Sequence, residues 1–240
     1  MSQTCYLRAI DDCYARFVTR QESHYPSSAQ GINTTDFFLF HSPYNKLVQK
    51  SFARVLFHDM RAGKVDGSAL GEALLTAPLE STYEDKTLET RLKDLSLAYY
   101  SDKVALGCEI SRQIGNTYTA CVYMNLACLI SAKGADLAGK KTALFSYGSG
   151  ALASMFEITA SDDSSSAFTL RRMQLALSVG PRLANRQRRA PEELTAALRA
   201  RELAHGQVPF APCYPTADLA PGTFFLESIS GTYERAYGRV

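Results

Sequence analysis

Apolar residues recur three and four positions apart between Tyr6 and Val18 (Tyr6, Ile10, Cys13, Tyr14, Phe17), which predicts an amphipathic helix. A polar loop, HYPSSAQGINTTD, separates it from Phe37–Phe40, an FFLF run short and aromatic enough for a buried strand. Ser42-Pro43 then reads as a helix start, with the serine as N-cap and the proline at the first helical position. That helix runs to about Met60 and turns Leu47, Val48, Phe52, Val55 and Leu56 inward. Residues 61–86 carry glycines, small residues and acids, and read as an excursion with little regular structure. Leu88, Leu92, Leu95 and Tyr99 mark the next helix.

Thr117–Gly134, TYTACVYMNLACLISAKG, is apolar around its whole circumference, and such a helix is expected to be buried. Thr142–Ala160 reads as two strands joined at Gly148-Ser149-Gly150, where glycine permits positive φ and close backbone approach. A surface loop over residues 161–166 leads to a helix around Phe168–Leu177. The Arg-rich connection RLANRQRRAP then leads to a helix opened by Pro191. TFFLESIS closes the pattern as a strand, followed by a polar tail, GTYERAYGRV. Helices alternate with strands and no repeat interrupts them, so the reading is one α/β unit over residues 1–240.

Composition narrows the partners. With 26 basic and 24 acidic residues the net charge is +2, too small a field to imply nucleic acid or an anionic membrane. No run approaches the roughly 18 apolar residues that span a bilayer, so no membrane contact is expected. Arg8, Asp11 and Asp12 break the first apolar pattern, so it is not a secretory signal. The six cysteines show no CxxC spacing and the four histidines are scattered, which fits free thiols in a reducing, cytoplasmic setting and no metal.

The candidate chemistry lies at turns. His41 stands where a strand gives way to a helix, the edge at which layered α/β folds gather ligands. It is either a packed turn residue or a group that donates to and accepts from a substrate. Lys46 and Lys50 share a helix face that Arg54 extends, either a solvated stripe or a seat for phosphate. Gly115-Asn116 and Tyr147–Gly150 are plain turns or backbone donors aimed at an oxyanion.

Taken in order and at their separations, FHSPYNKLVQKSFARVLFHD, IGNTYTACVY and LAGKKTALFSYGSGALAS resemble the hydroxymethylglutaryl-CoA synthase family. The opening SQTCYLRAIDDCY and closing GTYERAYGRV are similar to it as well. The resemblance implies a thiolase-like fold, layered αβαβα, of which this chain is about the C-terminal half. It also implies a Claisen-type condensation of acetyl-CoA with acetoacetyl-CoA in the mevalonate route, with CoA thioesters as substrates and no cofactor. By motif, His41 would polarise the carbonyl under attack, and Lys46 and Lys50 would meet the CoA moiety. Asn116 and Ser149 would line the acyl pocket.

Two motifs of that family are missing: the glycine-bearing ACYGG-type stretch with the nucleophilic cysteine, and the glutamate upstream of it. Cys121 follows an alanine but no glycines follow it. It stands where the family has a small polar residue, and reads as core packing, as does Cys128. Ile114 replaces the first asparagine of the family's NGN. The chain therefore reads as the C-terminal part of a synthase, inactive alone, whose N-terminal half lies in the same or another chain and which pairs as a homodimer when complete. The alternatives are a noncatalytic binding or assembly protein derived from the synthase, or a polyketide β-branching synthase acting on carrier-protein-bound acyl groups.

Overall fold

The computed structural model describes residues 2–27, 29–148, 150–161 and 163–240. In chain order these form helix α1 (Ser2–His24), strand β1 (Phe37–Phe40) and helices α2 (Asn45–Arg61), α3 (Glu72–Thr76), α4 (Lys86–Lys103), α5 (Glu109–Ile114) and α6 (Cys121–Lys133). Strands β2 (Lys141–Tyr147) and β3 (Ala153–Thr159) follow, then α7 (Leu170–Leu177), α8 (Val179–Ala184), α9 (Pro191–Ala204), β4 (Phe224–Ile229) and β5 (Arg235–Arg239). Packing separates them into two compact units, Met1–Asn185 and Arg186–Val240.

The first unit is built on a sheet of order β1-β2-β3, with β1 parallel and β3 antiparallel to β2. Alternation along the strands assigns the faces. Phe38, Phe40, Ala143 and Phe145 enter the main core with Tyr6, Ile10 and Tyr14 of α1 and Phe52 and Leu56 of α2. Leu39 and Leu144 point the other way, against Val122 and Leu129 of α6 and Leu170 of α7. Because both faces of β1 are covered, FFLF is apolar throughout rather than alternating.

β3 is one of the two edges of this sheet. Gly148 N donates to Leu152 O and Ala160 N to Lys140 O, so the even-numbered residues face β2. The backbone groups of Ala153, Met155, Glu157 and Thr159 therefore point outward. Side chains on its two faces differ: Ala153 and Met155 pack against the main core, whereas Phe156 and Ile158 are exposed.

α1 is fastened to α2 by polar contacts within the apolar packing. Arg54 Nε donates to Asp11 Oδ1 at 3.0 Å, its Nη2 pairs with Asp11 Oδ2, and its Nη1 donates to Thr82 at 2.7 Å. His58 Nε2 lies 3.0 Å from Asp11 Oδ1, at ion-pair distance without hydrogen-bond alignment. Burial opposes the Asp11 charge, yet the adjacent His58 and the hydrogen-bonded Arg54 hold its carboxyl below the usual range.

Several expectations change. Ser42 does not cap α2: the helix begins at Asn45, Tyr44 occupies the cap position, and the Ser42 hydroxyl donates to Phe40 O instead. Arg54 does not extend a basic stripe, because it is buried against Asp11. The excursion over 61–86 contains α3 and a 3-10 turn at Leu79–Thr82. α6 buries Val122, Asn125 and Leu129 but leaves Tyr123 exposed, so its circumference is only partly covered. The polar tail pairs as β5 with β4, with a bulge between Leu226 and Ser228.

Candidate active site

The residues that follow β1 form one wall of an open cleft of about 690 Å³. His41 and Pro43 come from this turn, Asn116 and Tyr118 from the segment before α6, and Tyr147 and Gly148 from the end of β2. Three stretches far apart in sequence thus meet at the carboxyl ends of the parallel pair β1 and β2, where the register ends at Phe40↔Phe145.

The main chain around His41 is fully committed. His41 N donates to Phe145 O at 2.8 Å and its carbonyl accepts from Tyr6 Oη at 2.6 Å. Ser42 N donates to Cys121 Sγ at 3.1 Å. Asn125 Nδ2 donates to Phe40 O at 2.9 Å and to Ser42 Oγ at 3.0 Å. The imidazole makes no hydrogen bond or ion pair among the described residues. Half-buried without a compensating partner, it is held below the ordinary histidine pKa by desolvation. It is therefore neutral near pH 7 and able to donate from one nitrogen while accepting at the other.

Asn116 closes the facing wall. Its Oδ1 accepts from Tyr118 N at 2.8 Å, and its amide nitrogen makes no hydrogen bond among the described residues, beside the cleft. The local backbone is unusual here: Gly115 has φ 80, Tyr118 φ 52 and Ala151, next to the cleft residue Leu152, φ 56. Left-handed conformations at Tyr118 and Ala151 carry strain, which concentrates where structure positions ligands. The first turn of α6 also borders the cleft, through Val122 and Tyr123.

The predicted residues divide accordingly. His41 and Asn116 share the cleft. Ser149 lies outside the described residues, although Gly148 before it borders the space. Lys46 and Lys50 lie on α2 and do not line the cleft; Lys46 is exposed without an ion pair among the described residues. Lys50 pairs with Glu89 at 3.0 Å. Cys121 and Cys128 are buried, as their apolar setting suggested, yet each sulfur also accepts a backbone N–H, from Ser42 and from Ile110 at 3.3 Å. Sequence reasoning missed Tyr6 and Asn125. The asparagine left a signal, a lone amide in an apolar helix, whereas Tyr6 was absorbed into its apolar period.

A family model described as "Hydroxymethylglutaryl-coenzyme A synthase C terminal" matches residues 1–240. The chain belongs to the hydroxymethylglutaryl-CoA synthase family. It is 38% identical to hydroxymethylglutaryl-CoA synthase A of Dictyostelium discoideum over 240 residues, and 36% identical to synthase 2 of Blattella germanica over 247. All of this chain is covered in both, but only 48% and 54% of those proteins. The chain thus spans about half the length of the curated relatives it matches. A solved structure, "MvaS in complex with 3-hydroxy-3-methylglutaryl coenzyme A", superposes with TM-score 0.70 at 24% identity, over 99% of this chain and 50% of that one. That likeness shows the thiolase-like fold, with this synthase-family chain corresponding to about half of it.

Proposed function

We propose that this chain forms the acetoacetyl-CoA side of a site that condenses acetyl-CoA with acetoacetyl-CoA and water to hydroxymethylglutaryl-CoA and CoA. The observation that carries the reading is the single cleft in which His41, Asn116 and the Tyr147–Gly148 turn converge. A neutral imidazole and an amide donor suit the ketone oxygen on which negative charge develops during attack.

In this reading the other half of the synthase supplies a cysteine that takes acetyl from acetyl-CoA, releasing CoA. A glutamate of that half removes a methyl proton from the acetyl thioester, and the resulting carbanion attacks the ketone carbon of acetoacetyl-CoA. His41 polarises the ketone oxygen, with Asn116 and Ser149 beside the acyl group. Water then hydrolyses the cysteine thioester and restores the thiol. CoA thioesters are the substrates and the steps call for no further cofactor. Exposed Lys46 is the better placed of the two lysines for a CoA phosphate, since Lys50 is already paired with Glu89.

The partner in this reading is the complementary half, seated on the exposed side of α6, with a homodimer formed by the complete protein. Tyr123 is 69% exposed on that apolar helix, and Met124, Leu126 and Ile130 are only partly covered. No described helix is long and apolar enough to cross a membrane. Relatives named as cytoplasmic, from Gallus gallus, and mitochondrial, from Mus musculus, both match, and the cytoplasmic setting is our reading for this chain.

The test uses His41→Ala in a protein carrying both halves, with cysteine acetylation and acetoacetyl-CoA consumption followed separately. Acetylation should survive while consumption falls by about 10²-fold or more. Loss of acetylation with acetoacetyl-CoA use intact would contradict the role given to His41. The 240-residue chain alone should not consume acetoacetyl-CoA when given acetyl-CoA, and measurable turnover would overturn its dependence on the second half.

A further inference from the structure

We propose that Tyr6 is a positioning residue for His41, fixing from α1 the orientation in which the imidazole meets its substrate. The proposal rests on the cleft reading for the identity of the group positioned, but its geometry stands independently. Tyr6 is 35 residues away from His41 in sequence, and its hydroxyl donates to the His41 carbonyl at 2.6 Å from a buried position. A backbone carbonyl held at that distance resists rotation of the His41–Ser42 peptide plane, which together with the plane held through His41 N fixes the direction in which the His41 Cα–Cβ bond leaves the chain.

The same ring touches the cleft from below. Tyr6 packs edge-on against Phe145 with centroids 5.4 Å apart, and against Tyr147 at 4.9 Å. Phe145 is the residue whose carbonyl holds His41 N, and Tyr147 lines the cleft. One side chain of α1 therefore contacts the His41 carbonyl, the residue that holds His41 N, and Tyr147 of the cleft lining. The remaining groups of the turn are held from α6 by Cys121 and Asn125. Without Tyr6, one of the two backbone groups of His41 loses its partner, and the turn is held from β2 and α6 but no longer from α1.

This role is separable from packing because α1 carries a second buried tyrosine. Tyr14 Oη lies 3.0 Å from each oxygen of Asp59, far from the cleft, and serves as a control for loss of a buried phenol hydroxyl. The experiment compares Tyr6→Phe with Tyr14→Phe in the 240-residue chain by the nuclear magnetic resonance signals of the His41 imidazole. Tyr6→Phe should shift and broaden those signals as the ring samples more than one orientation, while Tyr14→Phe, at comparable thermal stability, should leave them in place. Unchanged imidazole signals in folded Tyr6→Phe would overturn the proposal, and so would equal changes in both variants.

A second measurement needs no substitution and covers the case in which Tyr6→Phe fails to fold. The Tyr6 hydroxyl proton of the parent chain should be visible, protected from exchange with water, and close to the His41 backbone. Rapid exchange of that proton would sink the assignment. Failure of the proposed function is distinguishable, since a two-half protein with His41→Ala that kept full condensation would leave these signals, and the role of Tyr6 in setting them, untouched.

Discussion

At the scale of single residues, His41 is depressed in pKa because burial disfavours its charged form, with no ion pair among the described residues to offset it. The folded chain therefore binds its proton less readily than the unfolded chain, whose histidine titrates near 6.5. That difference contributes stability which is complete above about pH 6.5 and is lost as pH falls through the folded pKa. Replacing His41 with Gln should flatten the pH dependence of urea midpoints below about pH 6.5, and an unaltered slope would show that other groups dominate. His41 and Asn116 were legible in the sequence because their neighbours form recognisable turns. Tyr6 was not, because a tyrosine at a regular apolar position looks the same whether its hydroxyl reaches water or a carbonyl 35 residues away.

At the scale of elements, spacing announced most helices and strands but could not say which face of a helix would be covered. Lys46, Lys50 and Arg54 do share a face by period, yet α4 and α1 close over its far end, so Lys50 meets Glu89 and Arg54 meets Asp11. The Ser42-Pro43 cap failed for a related reason: the Ser42 hydroxyl is claimed by Phe40 O, two residues back, and α2 starts three residues later at Asn45. The buried α1–α2 bridge has its own consequence. Asp11→Ala leaves the Arg54 guanidinium unpaired in the core and should cost about 3–5 kcal/mol in chemical denaturation. Exchanging both for apolar side chains, Asp11→Leu with Arg54→Met, should recover most of that loss. A double variant no more stable than Asp11→Ala would show that the shape of the pair, rather than its charge, matters.

At the scale of the molecule, the partly open face of apolar α6 is where the proposed second half would seat. Its apolar circumference was plain in the sequence; that Tyr123 would stay exposed was not. Tyr123→Glu on α6 should raise the soluble fraction of the isolated chain and weaken its association with a separately produced second half by about tenfold or more, roughly 1.4 kcal/mol. Equal association would move the docking surface away from α6. The two compact units meet in sequence at an exposed, irregular Arg-rich stretch. Trypsin should cut first at Arg188 or Arg189 and leave a resistant fragment of the first unit, whereas early cuts within α1 or α2 would contradict that order. The outward row of β3 adds a further consequence. A strand that offers N–H and C=O groups to solvent beside Phe156 and Ile158 is a template on which another strand can grow. Concentrated samples should gain β-structure and light scattering with time, and Ile158→Lys should suppress both. How long this chain stays dispersed is then set by how crowded it has been, more than by its nearly balanced charge.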